Sequence, residues 1–153
     1  MIFCAVFYIG FVIACGTLKD GIVGNLSYRQ GGGHALTRLQ EAERTHNIDI
    51  LFLGSSHAYR GFDNRIFSDH GHSTFNLGTS NQTPIQTDML LDKYLLQFKP
   101  KVVVYEVYPR TLVIDGVESS LDIIASSNNN ISSCVFAIEP KNARVFNTLI
   151  FAL

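Results

Sequence analysis

Three short apolar runs, each closed by a residue that turns or breaks the chain, constrain the fold of this sequence more than any other feature. Ile48 to Leu53 (IDILFL) stops at Gly54, Ser73 to Leu77 (STFNL) stops at Gly78, and Lys101 to Val107 (KVVVYEV) is ended by Pro109. The first run has lost the alternation of a half-buried strand, as happens where a parallel sheet is covered on both faces. Between the runs the spacing is helical. Phe62, Ile66 and Phe67 recur in one segment, and Pro84 to about Phe98 reads as a well-marked helix. Thr83 is its expected N-cap, Pro84 takes the first helical position and Gln86 completes a capping box. Ile85, Met89, Leu91 or Leu95, and Leu96 are the expected apolar face. An earlier helix, His34 to Thr45, turns Leu36, Leu39 and Ala42 inward and Arg38, Glu41 and Arg44 away. Strand, helix, strand, helix, strand predicts an α/β chain with a doubly wound parallel sheet and right-handed crossovers.

The N-terminus is different in kind. Fifteen of residues 1–18 are apolar and none is charged. A helix of that length spans about 27 Å, close to the ~30 Å thickness of bilayer hydrocarbon. The expectation is a single-pass transmembrane anchor or uncleaved signal over 1–18, a Gly-rich linker over 19–33, and a soluble domain from 34 to 153. Val12-Ile13-Ala14-Cys15 is also similar to a lipoprotein cleavage box, a reading ranked below a plain anchor. No Lys or Arg precedes the apolar run, as a signal peptide would have. The apolar end, Thr148 to Leu153, has no cap or polar tail and suggests a fragment. The tail after Pro140 reads as a further helix, and Ser126 to Asn130 as a polar loop.

Charge and cysteine content narrow the function. Twelve Lys and Arg against thirteen Asp and Glu leave a net charge of -1, which excludes a strongly basic nucleic-acid binder. At 46% apolar residues the chain is not disordered. Cys4 and Cys15 lie in the anchor and Cys134 alone in the soluble part, so no disulfide framework forms. Cys134 reads as a buried small residue, and no Cys/His cluster points to a metal. No cofactor is expected.

In parallel sheets ligands bind at the carboxyl ends of the strands. Gly54-Ser55-Ser56-His57, Gly78-Thr79-Ser80-Asn81-Gln82 and Tyr108-Pro109-Arg110 converge there. A serine in a tight strand-to-helix turn is exposed, with its amide aimed where an anion would sit. A glycine ending the next strand lets a second amide approach. Two such donors make an oxyanion hole, worth about 3–4 kcal/mol per donor in acyl transfer.

Ile50 to His57 (ILFLGSSH) followed by Phe75-Asn76-Leu77-Gly78 resembles the first two signature blocks of the SGNH/GDSL hydrolase superfamily. Tyr59 to Asp63 and Asp115 to Ser119 are similar to stretches of bacterial membrane-anchored members. The resemblance covers about residues 46–125. It implies a three-layer, flavodoxin-like SGNH fold, incomplete in this chain. It implies Ser56 as nucleophile, where Gly54-Ser55-Ser56 aligns with Gly-Asp-Ser, and Gly78 as an oxyanion donor. Ser55 stands where the family usually has Asp, as in membrane-linked O-acyltransferase relatives. No Asn stands near Val107 to Arg110, where the third block should fall, so Asn81, Gln82 or Arg110 would have to replace it.

The base is expected from an Asp-x-x-His pair beyond Leu153. The literal match inside the chain, Asp69-His70-Gly71-His72, precedes the second strand and lies at the wrong end of the sheet for Ser56. His57 follows Ser56 directly, and adjacent side chains diverge, so it reads as a wall of the pocket. His34 and His46 read as surface residues. Arg60 is a candidate to hold an anionic group. Glu106, inside an apolar strand, needs a partner, with Arg60 or Arg110 the candidates.

The expected function is an SGNH-type serine hydrolase or O-acyltransferase. It would act outside the cytoplasm on small acyl esters or acylated cell-envelope glycans. Ser56 and Gly78 would be catalytic, and Ser55, His57, Arg60, Asn81 and Gln82 would bind substrate. Two alternatives stay open: an inactive SGNH-like domain that binds glycan or acts as a scaffold, and a phosphate-cradling flavodoxin-like module.

Overall fold

The computed structural model describes residues 2–17, 34–127, 129, 131–138 and 140–152. The expected linker 19–33 and the Cys134 side chain lie outside the described residues.

The three apolar runs form a parallel sheet. β1 (Ile50–Leu53) is central, flanked by β2 (Thr74–Asn76) and β3 (Val102–Tyr105). The registers pair Ile50 with Thr74 and Val102, and Leu53 with Tyr105. Alternation along β1 divides the helices between the two faces. Leu51 and Leu53 enter the main core with Leu39 and Ala42 of α2 (His34–Ala42). Leu90, Tyr94 and Phe98 of α5 (Pro84–Phe98) and Ile123 of α6 (Val117–Ser126) join them. Phe52 points the other way. It stacks on Phe62 at 4.5 Å and meets Phe67 at 5.0 Å, beneath α3 (Ser56–Gly61) and α4 (Asn64–Asp69). The described part is thus an α/β fold whose central strand is covered on both faces. β3 is a sheet edge, with Val102 51% and Val103 41% exposed.

α5 runs over the expected residues, because its start is specified locally. Pro84 sits in the first turn and the Thr83 amide donates to Gln86 Oε1 at 2.9 Å. Its buried face is only in part the expected one: Met89 and Leu91 are half-buried against the main core. Gln86, Thr87, Leu90, Tyr94 and Phe98 are buried, whereas Ile85, Leu95 and Leu96 are exposed. The two polar residues of that stripe are buried because each has partners there. Gln86 Nε2 donates to Gly116 O at 3.2 Å and Ser120 Oγ at 2.9 Å, and Thr87 Oγ1 donates to Thr83 O at 3.1 Å.

Three further helices, α6, α7 (Ile131–Ile138) and α8 (Ala143–Ala152), form a second core around Leu121, Ile124, Phe136, Val145 and Leu149. α8 agrees with the helix expected after Pro140. α1 (Ile2–Thr17) contacts α8, where Val12 is buried and the Tyr8 hydroxyl bonds Asn147 Oδ1. Its other large apolar side chains, Phe3, Phe7 and Phe11 among them, are exposed. Among the described residues no helix is long and apolar enough to cross a membrane.

Candidate functional site

The turns at the carboxyl ends of the strands are assembled around one close approach. The β1–β3 register carries Gly54 to a position opposite Glu106, whose amide donates to Leu53 O at 2.9 Å. Gly54 has φ +135°, and a Cβ there would lie 2.8 Å from Glu106 Cβ and Oε2 and 2.9 Å from its main-chain O. Only glycine leaves room for the carboxylate to fold over the turn. Glu106 Oε2 then accepts the Ser55 amide and the Ser55 hydroxyl, both at 2.8 Å. The partner expected for Glu106 was an arginine; the structure supplies a serine amide and hydroxyl, which can satisfy a carboxylate from much shorter reach.

Ser55 caps α3, its Oγ accepting the His57 amide at 3.3 Å, and it is 3% exposed. It therefore faces the protein rather than a ligand. Its Oγ is also 3.0 Å from His57 Nδ1. Ser56, the first residue of α3, is half-buried, and its hydroxyl has no hydrogen-bond partner among the described residues. His57 is exposed, with its ring 4.6 Å from that of Tyr108.

The second turn is packed against the first. Asn76 Nδ2 donates to Ala58 O at 3.0 Å, and the Gly78 amide donates to Asn76 Oδ1 at 3.0 Å. A Cβ on Gly78 would sit 3.1 Å from Ala58 Cβ and from the Tyr59 amide nitrogen. Gly78 is thus placed beside α3, with its amide already engaged by Asn76. The Thr79 amide bonds Gly54 O at 3.1 Å and joins the two turns.

Gln82 is not at a ligand surface. It is 1% exposed, accepts the Thr79 amide at 2.9 Å and donates to Thr87 Oγ1 at 3.0 Å. Thr79 Oγ1 pairs with Ser119 Oγ at 2.6 Å, so this network locks the loop to α5 and α6. Gln82, expected at the substrate, is instead buried and bonded to Thr79 and Thr87 within the protein. Asn81 is exposed at φ +51°, and its amide bonds the Glu118 carboxylate. Arg60 is exposed, with its guanidinium 5.4 Å from the centre of the Tyr59 ring. Tyr59 is also stacked on His34 at 4.8 Å, and His34 is exposed, as expected of a surface residue. Burial and the Arg38 charge lower the pKa of His34. Arg110 is exposed in the short 3-10 turn Pro109–Leu112.

Asp69 ends α4, and Asp69 and His72 are exposed before β2 begins. β1 and β2 are parallel, so both lie at the sheet edge opposite Ser56. Among the described residues no group of three His, Cys, Asp or Glu side chains could hold a metal ion.

Comparison with known proteins gives no match to a family model, a curated protein or a solved structure.

Proposed function

We propose that this chain carries the nucleophile of a serine esterase or O-acyltransferase of SGNH type, with Ser56 as the attacking residue. The observation that carries the reading is the division of labour between adjacent serines. Ser55 is buried and tied by amide and hydroxyl to Glu106, whereas Ser56 stands at the carboxyl end of the central strand with its hydroxyl unpaired among the described residues. A nucleophile needs that freedom, and a rigid neighbour to aim it. The oxyanion would be held by amides of the turn. Gly78 would add a donor only on release from Asn76.

The substrate class is an acyl ester, either small or borne on a cell-envelope glycan. α1, apolar and exposed over most of its length, would hold the domain at the outer face of a membrane. The SGNH pattern would also call for a base from an Asp-x-x-His pair, which the Asp69–His72 match does not supply because it lies at the opposite end of the sheet from Ser56.

The engaged Gly78 amide favours one second reading, an SGNH-like domain that binds an acylated glycan without turning it over. A phosphate cradle is disfavoured, because the Ser55 amide such a cradle needs is held by a carboxylate that repels anions. Fluorophosphonate labelling of the full chain decides. The expected result is covalent labelling at Ser56, lost in Ser56→Ala and kept in Ser68→Ala, an exposed serine of α4. Labelling unchanged by Ser56→Ala refutes the nucleophile. Retained glycan binding with no labelling at all supports the second reading.

A further inference from the structure

Counting protons around Ser55 Oγ leaves one arrangement. The atom lies 2.8 Å from Glu106 Oε2, 3.0 Å from His57 Nδ1 and 3.3 Å from the His57 amide nitrogen. A hydroxyl has one proton to give and two lone pairs to accept with. The carboxylate only accepts, and the same Oε2 also takes the Ser55 amide at 2.8 Å. The main-chain amide only donates. The hydroxyl proton therefore goes to Glu106, and the two lone pairs face the His57 amide and Nδ1. Nδ1 must then carry hydrogen. In the neutral ring, Nε2 is left as a bare acceptor. The reverse arrangement, with the hydroxyl proton on Nδ1, would set an oxygen lone pair against the carboxylate at 2.8 Å. The Tyr108 ring packs on the imidazole and helps to fix its plane. Because the ring is exposed at the carboxyl edge, a ligand can reach Nε2.

We propose that Glu106, Ser55 and His57 form a carboxylate–hydroxyl–imidazole relay that presents His57 Nε2 as a proton acceptor to a water or sugar hydroxyl. The proton positions stand independently of the reaction; the catalytic role rests on the serine acyl-transfer reading above. In that reaction the hydroxyl oxygen bonds to the acyl carbon on Ser56 while its proton passes to Nε2. The carbon–oxygen bond to Ser56 then breaks, the departing Ser56 oxygen takes a proton from solvent, and Nε2 gives its own proton up to solvent. Every proton is conserved and the imidazole ends neutral. Ser55 and Glu106 are positioning residues, since they act only through His57. His57 is badly placed to deprotonate its neighbour Ser56; the relay gives it the incoming hydroxyl instead.

Nitrogen–proton correlation spectra of the 15N-labelled full chain read the tautomer directly. The expected wild-type state is hydrogen on Nδ1 and a bare Nε2. Glu106→Ala frees the Ser55 proton to turn to Nδ1, and the hydrogen moves to Nε2. Glu106→Gln keeps an oxygen acceptor and restores the wild-type tautomer, which a merely structural role would not do. A wild-type ring with hydrogen on Nε2 overturns the relay whatever the variants do, as does a folded Glu106→Ala that keeps hydrogen on Nδ1. His57→Gln is expected to lower kcat for acyl transfer by about 10²–10⁴-fold; an unchanged kcat overturns the catalytic role. If Ser56 fails to label while the tautomer is as expected, the acyl-transfer reading falls and the relay stands.

Discussion

Gly54→Ala measures how much of this site depends on the approach of β3 to the first turn. The added methyl would meet Glu106 Cβ and Oε2 at 2.8 Å and Glu106 O at 2.9 Å. Oε2 sits at the end of a side chain and can swing aside. Cβ and O cannot, because the Glu106 amide is bonded to Leu53 O at 2.9 Å. The strands would have to part at their carboxyl ends. Forcing an L residue to φ +135° costs about 1–3 kcal/mol. Overpacking at fixed neighbours costs about 1–3 kcal/mol more. Together they come to about two fifths of the ~5–15 kcal/mol that holds a typical domain together. Gly61→Ala is the matched control: a Cβ there meets nothing within 4 Å, at the end of α3. It should be neutral or stabilising by about 0.5–1 kcal/mol. Urea unfolding followed by circular dichroism compares both with the wild type, with equal m-values as the condition for reading ΔΔG. A Gly54→Ala protein within about 1 kcal/mol of wild type would refute the close-approach argument, since ordinary substitutions already scatter that far.

Other consequences are smaller or more local. Gln86→Glu keeps the capping-box acceptor and is ordinarily mild, but here it turns a buried donor into an acceptor facing Gly116 O at 3.2 Å. The expected loss is about 3–5 kcal/mol, the cost of an uncompensated buried charge, and a shift of the urea midpoint worth under about 1 kcal/mol would contradict it. Lys101 and Ser73 hold the Asp49 carboxyl well below the usual carboxylate range, and Arg65 holds that of Asp63 down to about 2. Both contribute stability that is fully present above the unfolded value near ~4 and is lost as pH falls through the folded value. Asp63→Asn retains a cap acceptor for α4 and should flatten the stability curve between pH ~4 and about 2, as read by urea titration at each pH; an unchanged slope contradicts the assignment. Tyr94 is buried with its hydroxyl donating to Glu43 Oε1 at 2.9 Å, and burial followed by that carboxylate raises its pKa. Tyr94→Phe should lose about 1.5–3 kcal/mol, the worth of a hydrogen bond to a charged group, and a thermal scan with unchanged Tm would argue against it.

Legibility of the sequence followed how local each cause is. The start of α5 is fixed by neighbours: Thr83, Pro84 and Gln86 specify it without help from the rest of the chain. The strands were visible as apolar runs because β1 is covered on both faces. The polar part of the buried α5 face has an equally definite origin. Gln86 and Thr87 are polar in sequence and buried in the fold, because partners from the loop before α5 and from α6 meet them. α6 escaped notice for the same reason. Ser119, Ser120 and Ser126 occupy buried positions among Leu121, Ile123 and Ile124, which blurs any apolar stripe. The Ser55–Glu106 bond joins residues 51 apart in sequence, so no spacing could disclose it. A usable signal did exist: a parallel register that pairs the ends of two strands puts Gly54 opposite Glu106, and a glycine facing a carboxylate marks space for it.

Hydrogen-bond accounting also narrows what a ligand can touch. Ser55, Gln82 and the Gly78 amide are consumed inside the protein, and Asn81 is drawn to Glu118. Of the residues read from sequence as site residues, Ser56, His57 and Arg60 keep polar atoms outward. Glu106 lies under the turn on the His57 side, with Tyr108 over the imidazole, while Arg60 rests on Tyr59. The two sides therefore differ in charge. On the acyl-transfer reading proposed above, a ligand with a neutral hydroxyl end and an anionic end would favour the orientation with its hydroxyl at His57 Nε2 and its anion toward Arg60. The reverse orientation would bring the anion to the side of the Glu106 carboxylate, where like charges repel.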